Sequence, residues 1–279
     1  MNISVSMYSL APTVKAEKWS VIDFIDYAHS ISLQGVELLD IFWGNPDDQK
    51  EEMNLVKETL KKYGMRVSAY DVSNNFVKAN EAERAKDVAH VIEGIHIAKE
   101  LGTNVVRVFC GDLSGDLSYE DGHEWIIDSL KICAEVAEKE AVYLAIENHG
   151  LLAGKSGQVK DVITQVGSPY VKSTFDTGNF LLVHEEPTAA FEHLKEEIVH
   201  VHFKDFREKE PTEDVKSFKS IEGVAFVGVV PGDGAVDLAS IVKGLKDIDY
   251  NGWLSIEYEG LEEPEEATFE AVKRLKQLI

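Results

Sequence analysis

The chain is expected to fold as a single (β/α)8 TIM barrel, an α/β architecture spanning residues 1–279, and three observations predict it. Short apolar strands alternate with helical stretches eight times, whereas doubly wound sheets usually stop at about five or six strands. Glycines recur just ahead of strands, at Gly64, Gly102, Gly167 and Gly252, where a left-handed residue commonly ends a helix. Four successive strands in the second half each place one metal-capable side chain at the same end and on the same face.

Taken in order, Ile3–Tyr8 reads as a short strand, and Trp19–Ile31 has helical spacing with Ile22, Ile25 and Ala28 on its inner stripe. GVELL (35–39) is the second strand, followed by a charged amphipathic helix from about Asp47 to Tyr63 that Gly64 closes. Met65–Val72 is a strand, Glu81–Leu101 a helix ended by Gly102, Val105–Cys110 a strand and Tyr119–Glu140 a long helix. VYLAIEN (142–148) is the fifth strand, Ser156–Val166 a helix, Val171–Asp176 the sixth strand and Thr188–Glu197 a helix. Ile198–Asp205 is the seventh strand. Leu238–Leu245 is a helix opened by Asp237 as N-cap. Trp253–Tyr258 is the eighth strand and Glu263–Leu278 the last helix. The segment from about 207 to 235 is too long for an ordinary connection and reads as a long loop forming a lid or wall of the active site.

Charge excludes several partners. Asp and Glu outnumber Lys and Arg by 50 to 28, a formal charge of −22, and no basic cluster interrupts it. Such a surface repels nucleic acid and anionic membranes. The N-terminal MNISVSMYSLAPTV has no basic leader or apolar run of signal length, and no stretch approaches the roughly 18 apolar residues of a span, so a cytoplasmic location is expected. Cys110 and Cys133 lie in different elements without metal-type spacing and are expected to be buried reduced thiols.

In a barrel of this kind the chemistry sits at the C-terminal strand ends, and inward side chains alternate with helix-facing ones. In strand five Val142, Leu144 and Ile146 form the outward set, which leaves Glu147 inward at the top. The same parity turns Thr174 and Asp176 of strand six inward, Ser255 and Glu257 of strand eight, and His202 of strand seven. In IVHVHFKDF (198–206), His200, His202 and Lys204 share one face, and Val199, Val201 and Phe203 the other. Glu147, Asp176, His202 and Glu257 make a set of one imidazole and three carboxylates, suited to Mn, Mg, Co or Zn. Three carboxylates converging in a partly dry cavity would repel strongly without a cation.

The segments AIENHG (145–150), FDTGNF (175–180), HVHFKD (200–205), VPGDGAVD (230–237) and IEYEG (256–260) together resemble the sugar phosphate isomerase/epimerase family of xylose-isomerase-like TIM barrels. Ketose 3-epimerases, hydroxypyruvate isomerase and inosose dehydratase belong to that group. The resemblance covers essentially the whole chain and is specific for the superfamily, not for the substrate. It implies one divalent metal ion, Mn foremost, held by Glu147, Asp176, His202 and Glu257, with Glu147 and Glu257 also acting as acid and base.

The implied activity is a metal-dependent isomerase or epimerase of a small sugar, sugar phosphate or keto-polyol. A cation on a ketone oxygen acidifies the neighbouring C–H, and a carboxylate removes the proton to give an enediolate. Proton return to the opposite face gives epimerisation and return to the next carbon gives isomerisation. Loss of a β-hydroxyl gives dehydration, so an inosose or dehydroshikimate type dehydratase is the alternative. An abasic-site endonuclease shares the barrel but needs a basic DNA face. The expected partner is a small-molecule carbohydrate, and dimers or tetramers are common in the group.

Supporting residues remain open at this level. Glu37 and Arg107 point inward and either contact substrate hydroxyls or pair inside the barrel. His149 either binds substrate, orients a ligand from behind or lies at the surface, and His200 reads as structural support. Lys204 and Arg207 are the candidates for an anionic or hydroxylated substrate tail. Asn179 bonds substrate or ties down a turn. PGDG (231–234) is a turn shaping the mouth, and Phe42 and Trp43 wall the site or pack an interface.

Overall fold

A computed structural model describes residues 1–44, 49–112 and 117–279. The expected (β/α)8 barrel is what the chain forms. Its wall consists of β1 (Asn2–Ser6), β2 (Gly35–Leu39), β3 (Arg66–Asp71), β4 (Val105–Val108), β5 (Tyr143–Glu147), β6 (Val171–Asp176), β7 (Ile198–Phe203) and, last in sequence, β11 (Trp253–Ile256). These strands close in the order β1-β11-β7-β6-β5-β4-β3-β2, with every pairing parallel.

Helices form the outer layer: α1 (Ala11–Glu17), α2 (Val21–Ser30), α3 (Gln49–Tyr63), α4 (Glu81–Leu101), α5 (Tyr119–Glu140), α6 (Ser156–Val166), α7 (Pro187–Leu194), α8 (Leu238–Asp247) and α9 (Pro264–Leu278). Local chemistry sets their ends. Ser20 and Asp23 form a capping box at α2, as Ser118 and Asp121 do at α5, so two orphan N–H groups are bonded at each start. Asp237 caps α8 as the sequence suggests, its carboxylate accepting from Ser240 N. Gly64, Gly102 and Gly167 lie in the left-handed region after α3, α4 and α6. Gly252 does not; α8 stops at Asp247, and Asp249 takes the left-handed turn instead. The expected start of α3 near Asp47 lies outside the described residues. The sequence reading also lacked α1, a short helix carrying Pro12 in its first turn.

The main core lies between strands and helices, where Val36, Leu38, Leu144, Ile146, Phe175, Val201, Leu254 and Ile256 meet helix residues such as Ile25, Val91, Leu130 and Leu245. This is the helix-facing set that parity requires. At the closed end, inside the barrel, Ala69, Val105 and Ala145 pack with Val199. Val199 therefore departs from its expected outward position. The pairing of β6 and β7 shifts between Ser173 and Thr174, which breaks the alternation at the start of β7 and restores it by Val201.

The segment after β7, read from sequence as a long loop, contains a small antiparallel sheet of β8 (Asp205–Glu208), β10 (Ala225–Val229) and β9 (Phe218–Lys219), in the order β8-β10-β9. Its apolar side, Phe206 and Phe226, packs with Leu182. Asp205 ties this sheet to the turn that follows: its carboxylate accepts N–H bonds from Phe206 (2.9 Å), Gly232 (3.0 Å), Gly234 (3.0 Å) and Val236 (3.1 Å). A Cβ on Gly234 would lie 2.2 Å from Asp205 Oδ1, so the turn depends on glycine there. The amide in Asp205→Asn can satisfy only part of this set. We expect that variant to lose about 2 kcal/mol of stability in urea unfolding, the scale of hydrogen bonds to a buried charge. A midpoint equal to wild type would show that the latch is not needed.

Candidate metal centre at the barrel mouth

The strand ends of β5, β6, β7 and β11 bring Glu147, Asp176, His202 and Glu257 together, with one ligand-capable atom from each within 4.8 Å of all the others. Strand register does this: Asp176 sits beside His202 across β6 and β7, and Ser255, two residues before Glu257, sits beside His202 across β7 and β11. His202 Nδ1 is 3.4 Å from Glu257 Oε2, 3.6 Å from Glu147 Oε2 and 3.8 Å from Asp176 Oδ2. Asp176 and His202 are 0% exposed, Glu147 2% and Glu257 5%, so bulk water does not compensate these groups.

Electrostatics is correspondingly strained. Burial pushes the Asp176 carboxyl up to about 7. Burial opposes ionisation of Glu257 as well, but Lys204 and His202 outweigh it and hold that carboxyl well below the usual range. For Glu147 burial is likewise outweighed, chiefly by His202, and the carboxyl is lowered. Burial disfavours a charged imidazole at His202, yet the surrounding Glu257, Glu37 and Glu147 hold it well above its ordinary value.

The donor set fits a divalent cation. His202 Nδ1 is buried and lacks a hydrogen bond, and it faces the same small volume as Asp176 Oδ2 and Glu257 Oε2, which are met by the Lys204 ammonium at 3.3 and 2.5 Å. One ammonium does not balance three buried carboxylates, and it leaves the imidazole nitrogen unpaired, which is costly unless a further cation satisfies it. One imidazole and three carboxylates, without thiolate, match Mn, Mg, Co or Zn. Asn179 Nδ2 donates to Glu147 Oε1 at 3.1 Å, and Asp176 Oδ1 accepts from the N–H groups of Gly178 and Asn179, both at 2.8 Å. These bonds leave Glu147 Oε2 and Asp176 Oδ2 aimed inward.

The other expected site residues divide. Arg107 and His149 line a cavity of about 230 Å³ above the four groups. Arg107 Nε lies 3.2 Å from Glu147 Oε2, and its guanidinium is 4.0 Å from the ring centre of Phe109, against which the His149 ring also packs at 4.2 Å. Lys204 reaches the cavity, but its ammonium is enclosed by carboxylates, 2.5 Å from Glu257, 3.0 Å from Glu259 and 3.3 Å from Asp176. It neutralises the centre and does not stand free for a substrate anion. Arg207 is not brought to the cavity. Its guanidinium forks onto Glu213 at 2.6 and 2.8 Å, because it belongs to β8 of the small sheet, where the register set by β7 no longer holds. Glu37 also lies off the cavity; it is fully buried below His202 and bonded to that imidazole. Asn179 is buried and committed to Glu147. His200 is a supporting group, its Nε2 3.1 Å from Glu37. Trp43 and Phe42 pack partly buried against the core.

Sequence reasoning missed Tyr8, Ser73, Phe109 and Glu259 as cavity residues and Asp71 as a buried partner of Arg107. Parity could have found Asp71, which shares the inward face of β3 with Ala69, and Glu259, two positions beyond Glu257. The same count reaches Ser73, two positions beyond Asp71, and Tyr8, two beyond Ser6, although both, like Glu259, lie past their strand ends.

Comparison with known proteins agrees with the barrel fold. The sequence pattern of the xylose isomerase-like TIM barrel family matches residues 25–278. An inosose dehydratase of Lacticaseibacillus casei is 25% identical over 180 residues, covering 62% of this chain and 60% of that protein, so the match spans less than two thirds of its length. An inosose dehydratase of Clostridium beijerinckii is 25% identical over 248 residues, 81% of each chain. Among solved structures, the probable 3-DHS dehydratase AsbF from Bacillus anthracis superimposes with a TM-score of 0.77 at 18% identity, over 99% of both chains. A D-tagatose 3-epimerase-like protein gives 0.76 at 18% identity, over 100% of this chain and 98% of that one. The IOLI protein with a binding zinc atom gives 0.75 at 17% identity, over 100% and 96%. At these identities the structural likenesses establish the fold.

Proposed function

Because this chain belongs to the xylose isomerase-like TIM barrel family, we propose that it is a divalent-metal-dependent isomerase or epimerase of a small sugar, sugar phosphate or keto-polyol. The observation that supports this reading is the convergence of Glu147, Asp176, His202 and Glu257, all buried, beneath a cavity sized for a small molecule. The same four residues would hold the cation, manganese being the ion we expect first for an oxygen-rich set with one imidazole. When bound, such an ion supplies Lewis acidity that polarises a carbonyl and makes the adjacent C–H more acidic.

The rest of the chemistry falls to side chains of this chain. Glu257, held ionised by Lys204 and His202, is the base that takes the proton from carbon. Glu147, fixed on one oxygen by Asn179 and approached on the other by Arg107, stands across the centre to return a proton; because its carboxyl is otherwise held ionised, it first takes that proton from solvent through the cavity it lines, and Glu257 releases the one it removed by the same route. Delivery to the opposite face of the same carbon inverts it; delivery to the neighbouring carbon isomerises the sugar. Tyr8, Ser73, His149 and Glu259 line the cavity and offer hydroxyl-matching donors and acceptors. Both cations that line it, Arg107 and Lys204, are engaged by carboxylates, which favours an uncharged polyol over a phosphate ester.

A dehydratase is the second reading, favoured by the similarity to inosose dehydratase over 81% of the chain. It begins with the same proton removal by Glu257 and needs a donor for the departing hydroxide, for which His149 at the mouth is the candidate. A panel of ketoses, ketose phosphates, hydroxypyruvate and inosose, incubated with Mn2+ in D2O and followed by NMR, separates the two. Deuterium next to the carbonyl with appearance of an isomer supports the isomerase. A new conjugated-ketone absorbance with loss of water supports the dehydratase. Absence of exchange with every member, by protein that binds the cation, would count against both.

A further inference from the structure

Beneath the converging groups lies a second set of buried polar side chains that the chemistry above does not use. Glu37 from β2 directs one oxygen, Oε1, at two imidazoles, 2.8 Å from His202 Nε2 and 3.1 Å from His200 Nε2. Asp71 from β3 packs against Glu37, and Arg107 from β4 donates through Nη2 to Asp71 Oδ2 at 3.1 Å while its Nε approaches Glu147 Oε2. Three consecutive strands thus carry a chain of contacts that starts at His202, one of the four converging groups, and ends at Glu147, another.

We propose that Glu37 is a positioning residue of the centre: by accepting from His202 Nε2 it fixes the ring orientation and keeps the proton on that nitrogen, so that Nδ1 presents its lone pair to the cation. The two ring nitrogens of an imidazole are not equivalent, and the hydrogen bond made by one decides what the other can do. Here the nitrogen facing Glu147, Asp176 and Glu257 is Nδ1, while the one facing away meets a fully buried carboxylate. Without Glu37, Nδ1 can instead carry the proton and donate it to any of those three carboxylates, which blocks the position a cation needs. The inference rests on reading the four groups as a cation site.

The test uses the full chain and zinc alone as the probe. Glu37→Gln is expected to weaken Zn2+ binding about 10- to 100-fold in a chelator competition, the range for partners behind a ligand, with melting temperature and circular dichroism little changed. In long-range 1H–15N spectra, Zn2+-loaded wild type should show His202 bound through Nδ1 with Nε2 protonated, and the variant should lose that single signature. Glu37→Asp should recover part of the affinity. Wild-type affinity and an unchanged His202 signature in Glu37→Gln would overturn the proposal, as would coordination through Nε2 in wild type, a measurement that stands even if the variant does not fold. Two zinc ions per chain would overturn it too, since Glu37, His200 and His202 would then be ligands of a second ion. No uptake by wild type would instead defeat the cation reading itself.

Discussion

His202→Ala and Asp176→Ala are each expected to reduce divalent-cation binding by at least about 100-fold, against roughly one ion per chain in wild type, measured by equilibrium dialysis with Mn2+ or Zn2+ and metal analysis. The size of the effect follows from where the atoms sit. His202 Nδ1 faces three carboxylates without a hydrogen bond of its own, and Asp176 Oδ2 is buried beside it with the Lys204 ammonium 3.3 Å away. Removing the imidazole also takes from Glu147 its main counter-charge and weakens the partnering of Glu257 and Glu37, so the remaining oxygens repel one another or take up protons. The sign with pH can be worked out. In the cation-free centre His202 is held protonated above its ordinary range and Asp176 titrates at about 7. A cation must displace those protons, so affinity should rise from pH 6 to pH 8. Stoichiometric binding retained in either variant would place the cation elsewhere, and no uptake by wild type would remove the site from the mechanism.

The second large effect concerns proton transfer. Glu257→Gln should lower turnover by about 10² to 10⁴, the contribution of a positioned general base. The amide keeps the shape and a cation-facing oxygen but cannot take a proton. Glu147→Gln should fall comparably, and deuterium incorporation should separate the two. If one glutamate removes the proton and the other returns it, the variant lacking the base exchanges nothing, whereas the variant lacking the second acid still washes deuterium into recovered substrate. Full activity in Glu257→Gln would defeat the two-carboxylate scheme. Cation affinity must be measured beside each rate, because both residues belong to the candidate ligand set.

Much of this was legible in the chain. Eight periods of strand and helix, the caps at Asp237, Gly64, Gly102 and Gly167 and the bounds of α4, α5 and α6 follow from local propensity and from apolar spacing. Parity alone selected Glu147, Asp176, His202 and Glu257, because a side chain's face in a strand depends on its sequence position modulo two. The same rule misassigned Val199, where the register between β6 and β7 shifts. Arg207 was a candidate only for lying just beyond strand seven, and that expectation failed because the chain leaves the barrel wall after Phe203 and begins a different sheet at Asp205.

The sequence by itself therefore determined the barrel, its order of elements and which carboxylates and imidazole turn inward, since these follow from periodicities that each strand carries alone. Tertiary structure decided how the inward groups are shared. Only closure of the barrel sets Glu37 beneath His202, 165 positions away in sequence, and turns it from a candidate substrate contact into a buried partner of two imidazoles. Only closure places Lys204 among Glu257, Glu259 and Asp176, where it balances charge. The physical reason is that charge pairing depends on distances of about 3 Å between strands, and those distances come from inter-strand register and ring closure, which no single strand's pattern contains.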